Sequence, residues 1–526
     1  VKRKTTGLYC AVLCVCVLRC AGPGGRPDWE NLLPVSGRIR MEPDYASVTV
    51  PPNIAPLNFT IQEESQGFAV RISGDRGSPL EIRGRGASVR FPLKPWKRLL
   101  SGNAGGTLRV DIALRRDGRW TRTPSGSLHV AAFPMDDYLV YRLLNPKYYL
   151  WNRLRLVQRA LGDFREKTLL DNRVIGRDCF NCHSFAQNRP DRFMLHFRGG
   201  KSDGLFVSTP EARFKTDTRT AFNHSPAAYP AWHPDGRRIA FSVNNLGMFF
   251  RALGDEVREV IDMLSDIVLY DPDTNTLTTT PAISDSAYLE TFPAWSPDGR
   301  TLYFCRTPKL SGQIRIPEEP LQHAVKRVRY DLMRIPYDPE SGTWGVPGTV
   351  LRAEEAGGSI TRPRVSPDGR FILFCVSDHG NFPVYIGSSD IWIMDLETGE
   401  ARKPDINSPF AETWPVWSSN GRWIVFSSKR DDGQCARPYF AFVDGDGTVH
   451  KPFVLPQHDP ALYAAQIQTY NLPEFLVSPP AFGARDIRAV LDDPDRMHEA
   501  RLDPGVTHRN APDDALADGF LTPYSF

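Results

Sequence analysis

The chain has almost no surplus of charge: 64 basic against 61 acidic residues leave a formal net charge of +3. So small a field gives no argument for nucleic acid, and none is expected as a partner. After the first twenty residues no stretch approaches the roughly 18 apolar residues of a membrane span, so everything beyond that point reads as soluble. A spaced disulfide framework is also missing. The nine cysteines fall into an N-terminal group (Cys10, Cys14, Cys16, Cys20), one tight pair (Cys179, Cys182) and three scattered thiols. Cys305 and Cys375 each follow an apolar run ending in Phe, the setting of a buried, inert thiol. What is plentiful is Gly (41) and Pro (45), which indicates many turns and short strands. At 526 residues the length suggests about three to five units, or one repeat array with attachments.

The chain opens Val1-Lys2-Arg3-Lys4 and then runs uncharged from Leu8 to Leu18. A basic start before a short apolar stretch has the layout of a secretory signal over residues 1–20, so export into a bacterial cell envelope is expected. Cys20 and the Gly-rich residues 21–36 that follow resemble a lipoprotein signal with its tether. That resemblance implies lipid on Cys20, a membrane anchor, and a periplasmic or outer-membrane location. Arg19 departs from the pattern, because small residues normally precede such a cysteine.

Residues 37–134 alternate with period two. In Thr107 to Arg115, Leu108, Val110, Ile112 and Leu114 point one way while Arg109, Asp111 and Arg115 point the other, as a half-buried strand requires. An immunoglobulin-like β-sandwich is the simplest architecture for so many short strands. Within residues 135–187, Leu150, Leu154, Val157 and Leu161 recur at helical spacing, which predicts a helical bridge.

The following region, 188–482, contains an internal repeat. Tyr229-Pro-Ala-Trp-His-Pro-Asp-Gly-Arg returns at Phe292, Arg362 and Trp414 with the same X-Pro-x-x-Ser/His opening and the same turn. Each copy predicts strand, tight turn, strand, and three are followed by a further strand signal, which is the unit of a propeller blade. Phe193 to Arg198 forms a degenerate earlier copy, and insertions such as Leu246 to Met263 lengthen the repeat. These copies resemble the TolB-type (WD40-like) propeller family. The resemblance implies a mainly β fold of about six blades, and it covers docking platforms, peptidase domains and sugar lyases alike. A peptidase of the prolyl-oligopeptidase kind is disfavoured, because roughly 70 residues after the last clear blade cannot hold a hydrolase domain. Residues 483–526 form a C-terminal tail, expected to be flexible or to wrap the propeller.

Cys179-Phe180-Asn181-Cys182-His183 is a Cys-x-x-Cys-His motif, the signature of covalent c-type haem attachment. Two thiols add across the vinyl groups and the adjacent imidazole is placed to ligate iron. Composition alone yields the motif roughly 0.003 times in a chain of this length. A zinc site or a redox disulfide is the rival reading of the pair. One haem c is therefore the expected cofactor. His183 is the expected axial ligand, with His196 or Met194 the candidate on the other face because both project from the same side of one predicted strand. Arg177, Arg189 and Arg198 are candidate propionate partners, and Phe180, Phe185 and Phe193 a candidate apolar wall.

Three functions remain open. The first is an envelope-anchored monohaem cytochrome that exchanges single electrons with an envelope partner across a propeller docking surface. The second is a non-redox assembly or binding platform with a structural haem. The third is a propeller enzyme acting on carbohydrate, for which His233 stands where the other copies carry Ser296, Ser366 and Ser418.

Overall fold

The computed structural model describes residues 26–32, 35, 37, 39–145, 153–223, 225–250, 258–309 and 325–507. The expected signal segment, Cys20 and Leu150 lie outside the described residues. Strands dominate the described chain, and no described helix is long and apolar enough to cross a membrane.

The N-terminal unit is built from two sheets. One has the order Thr49–Val50, Arg119–Val130, Thr107–Arg116, Gly67–Ser73, Leu80–Gly84, and the other joins Met41–Glu42, Phe59–Ile61 and Ser88–Val89. Leu108, Val110, Ile112 and Leu114 are buried together as their alternation predicts. A helix at Leu93–Gly102, which the period-two reading did not foresee, packs Trp96, Leu99 and Leu100 into the same core. This core continues without a break into Trp423, Phe440 and Phe475 of the larger unit. Polar ties reinforce the contact: Asn58 Nδ2 donates to Gln457 O at 3.1 Å, and Trp423 Nε1 to Phe133 O at 3.1 Å.

The described residues of 135–187 are built of strands rather than as the expected helical bridge. They form strands at Tyr138–Leu144, Leu154–Ala160 and Glu166–Asp171, and the Cys-x-x-Cys-His motif itself lies in a strand, Cys179–Phe185. The helix-like spacing has a simple origin. The strand Leu154–Ala160 is buried on both faces, Leu154 and Leu156 in one core and Val157 in another, with a bulge between Leu156 and Val157. A short apolar run buried on two sides has no period that separates strand from helix.

The larger unit is a β-propeller that starts near Tyr138, about fifty residues before the boundary expected at 188. Its sheets follow one another along the chain, each antiparallel and running from an inner to an outer strand. The inner strands are Cys179–Phe185, Ala227–Trp232, Tyr288–Trp295, Ser359–Val365, Glu412–Trp417 and Thr469–Leu476. Each contacts the next, and Thr469–Leu476 contacts Cys179–Phe185. The ring is thus closed by a strand from near the C-terminus pairing with Tyr138–Leu144. Beyond it, the helix Ala484–Leu491 leads to Met497–Glu499 and Arg501–Leu502, which extend two outer sheet edges in parallel, so this part of the tail wraps the propeller and covers edges otherwise open to pairing.

One local feature repeats in every inner strand. Cys182, Tyr229, Phe292, Arg362, Trp414 and Leu472 all have φ between 49° and 58°, and each sits at a register shift against the next strand. These are bulges, which bend a strand and re-aim its side chains. The residue after the bulge is proline in five strands and His183 in the sixth. Proline is tolerated there because a bulge leaves an amide outside the ladder. The cysteine motif is therefore a repeat copy in its own right, with Cys182-His183-Ser184-Phe185 aligned on Leu472-Pro473-Glu474-Phe475.

Candidate cofactor site

In a regular strand, residues three apart face opposite sides, and Cys179 and Cys182 would be separated by the sheet. The bulge at Cys182 removes that separation: both thiols line one cavity of about 360 Å³ at the mouth of the central channel. Cys182 is 6% exposed, and burial pushes the Cys179 thiol above its ordinary pKa. Both thiols are free, as are those of Cys305, Cys375 and Cys435.

Basic and apolar groups share the rest of the lining. Arg142, Arg177, Arg198 and Arg258 border the cavity together with Leu144, Leu154, Leu246, Met248, Val260, Phe382 and Trp414. Arg142 donates to Phe180 O at 2.9 Å, and Arg258 lies 5.3 Å from the Tyr385 ring and donates to its hydroxyl at 3.4 Å. Of the arginines proposed from sequence, Arg177 and Arg198 stand here. Arg189 does not: it lies 3.7 Å from Asp191, about half exposed. Arg142 and Arg258 were missed because they come from strands remote in sequence. The expected aromatic wall is also displaced, since Phe180, Phe185 and Phe193 pack into the core between sheets.

His183 lies beneath the cavity floor. Trp414 and Leu472 border both the cavity and a smaller space that His183 shares with Arg362, Arg364 and Glu474. The imidazole is fully buried, with the Leu472 backbone beside it and Nε2 3.7 Å from Glu474 Oε2. Burial first, then the nearby Arg142 charge, hold the imidazole at a pKa of about 3, while burial raises Glu474 to about 8. Both groups are neutral at pH 7, so this is a contact between uncharged partners. A buried, neutral imidazole is in the protonation state that a metal ligand requires.

The expected second ligands do not reach the cavity. Phe193, Leu195 and Phe197 do share one core and Met194 another, as the alternation requires, but Met194 is wedged between sheets with Leu205 and Val207. His196 is completely buried opposite Asn181, with both nitrogens unpartnered and its pKa held well below the ordinary value by burial. His233 is occupied elsewhere: Nε2 bonds Gly299 O at 3.0 Å, Nδ1 is 2.9 Å from Asp235, and the ring meets Trp295 edge-on. Among the described residues no three His, Cys, Asp or Glu side chains stand close enough to hold a metal ion. Gly200-Lys201-Ser202-Asp203-Gly204 spells a Gly-x-Ser-x-Gly pattern, but Ser202 sits in a 3₁₀ turn between two strands of one sheet. That is not the strand-to-helix elbow of a nucleophilic serine.

Below the cavity the channel is plugged. The Arg362 guanidinium lies 3.6 Å from the Trp414 ring, 3.8 Å from Phe292, 4.2 Å from Tyr229 and 5.6 Å from Phe382. Burial lowers its pKa to about 10, so it stays charged inside this cage of π faces.

No protein family model matches the chain, and no curated protein does. Among solved structures, an oligogalacturonate lyase in complex with manganese aligns with a TM-score of 0.33 and 11% identity, over 61% of this chain and 74% of that one. An auxiliary nutrient binding protein from Bacteroides thetaiotaomicron VPI-5482 aligns at 0.32 and 11%, over 78% and 98%. Prolyl oligopeptidase B from Galerina marginata aligns at 0.35 and 13%, over 61% of this chain but only 45% of its own length. No argument rests on likenesses this distant; the propeller is defined by its own sheets.

Proposed function

We propose that this chain is a c-type haem protein in which Cys179 and Cys182 hold one haem in the channel-mouth cavity, and that it relays single electrons to an envelope partner. The observation that carries the reading is the meeting of both thiols in a single cavity, which demands the αL bulge at Cys182. Arginines 142, 177, 198 and 258 supply cations for propionates through charge-assisted hydrogen bonds, and the apolar lining excludes water from the ring. His183, adjacent to the attachment point and neutral, is the imidazole available to iron. When bound, the haem supplies a one-electron couple whose potential follows its axial ligands and burial.

The scaffold in this reading is a six-bladed propeller of the TolB type joined to an immunoglobulin-like unit and held in the cell envelope by lipid on Cys20. A multiply acylated cysteine anchors stably where a single chain does not, so Cys20→Ala is expected to move the protein from the membrane to the soluble fraction. The central experiment is production of the full chain with c-type haem maturation enzymes, followed by haem staining after denaturing electrophoresis. Covalent haem is expected in the wild type and its loss in Cys179→Ala/Cys182→Ala. A wild-type chain free of covalent haem refutes the proposal, and a haem that no donor or acceptor cycles refutes the relay role.

A further inference from the structure

The hairpin made by Ile239–Phe250 and Arg258–Asp271 is longer than its counterparts. Its strands have 12 and 14 residues, against 6 to 8 for Phe193–Arg198, Thr301–Pro308, Phe371–Ser377 and Trp423–Ser428. The extra length carries it past the inner strands to the channel mouth. There Leu246 and Met248, two residues apart on one face, and Val260, paired directly across from Met248, form one side of the cavity that holds the two thiols. The face is apolar, yet one of its side chains, the Met248 thioether, belongs to a type that can ligate haem iron. Among the described residues that line the cavity, Met248 is the only one with a thioether or an imidazole. The remaining polar lining is hard oxygen or cationic nitrogen: the Tyr385 hydroxyl accepts from Arg258, Tyr229 packs against Arg362, and Asn181 and Asn471 offer amide oxygens, none of them a soft ligand for a low-spin iron.

We propose that Met248 is an axial ligand of the haem iron, delivered by the extended hairpin in place of Met194 or His196. The inference rests on the reading that Cys179 and Cys182 bind haem in this cavity. A thioether is soft and neutral, and Met/His ligation raises the reduction potential relative to His/His. Met248 is half-buried at the cavity, whereas Met194 is fully buried in the core between sheets.

The test uses the full chain matured with haem and compares wild type, Met248→Leu and Met248→His at equal covalent haem content. Oxidised wild type is expected to show the weak near-infrared charge-transfer band of a thioether-ligated low-spin ferric haem. Met248→Leu is expected to lose that band and become high spin, and Met248→His to regain low spin without the band and at a lower potential. Covalent haem in a wild type that lacks the band, or a band that survives in Met248→Leu, overturns the assignment while leaving the haem reading intact. A wild type without covalent haem overturns both.

Discussion

Asp262 offers a sharp test of how the channel is built. Its carboxyl lies at the junction between the extended hairpin and the plug, 8% exposed, and neither oxygen has a hydrogen-bond partner within bonding geometry. Asn244, Asn381, Tyr330 and the Arg362 charge all stand close enough to favour the anion, yet burial outweighs them and raises the pKa from 3.8 to about 7. In the unfolded chain the group titrates at its ordinary value. Between the two pKa values the folded state binds more protons than the unfolded state, so stability falls as pH rises. The contribution of the neutral acid is complete below pH 3.8 and gone above pH 7, a change of about 4 kcal/mol, of which about 3 kcal/mol falls between pH 5 and 8. Asp262→Asn keeps the shape and removes the proton. Urea unfolding of both proteins at several pH values is therefore expected to show the wild type losing about 3 kcal/mol relative to the variant from pH 5 to pH 8. Curves that remain parallel within about 0.5 kcal/mol over that range would mean the carboxyl is solvated or paired, and the packing described for the channel would be wrong.

Two further outcomes follow from the same core. Arg362→Ala removes a cation stacked among four rings and leaves a cavity, so a loss of about 3–5 kcal/mol in urea unfolding is expected, whereas Arg362→Met, which refills the space without burying charge, is expected to stay within about 1 kcal/mol of the wild type. A chain truncated before Thr469 loses the strand that closes the ring and exposes the edge of Tyr138–Leu144. It is expected to oligomerise on size exclusion and to unfold without a single cooperative transition. A monomeric truncated chain with an unchanged midpoint refutes the closure.

Much of the architecture is local and therefore legible along the chain. Four copies of X-Pro-x-x-Ser/His followed by a Gly-containing turn announce repeated hairpins, because the turn needs positive φ and the run after it has to be buried. The alternation from Phe193 to Phe197 is equally plain, since period two is a property of the strand itself. The Cys-x-x-Cys-His motif is equally visible along the chain, since its spacing is local. The sequence also held a signal that went unused. An apolar residue, then Pro or His, then any residue, then an aromatic marks Cys182 to Phe185 and Leu472 to Phe475 as further copies.

Tertiary structure decided the rest. Strands buried on both faces lose their period, so Leu154, Val157 and Leu161 imitate a helix until two separate cores are seen to claim them. Ring closure pairs residues more than three hundred positions apart, Thr469 with Leu144 and Leu476 with Tyr138, and no local pattern encodes a pairing of that range. Which side chains converge on the two thiols depends on the bulge at Cys182 and on where a long hairpin ends. That is why Arg142, Arg258 and Met248 entered the cavity unannounced while Met194 and His196, neighbours of the motif along the chain, were drawn into the packing between sheets.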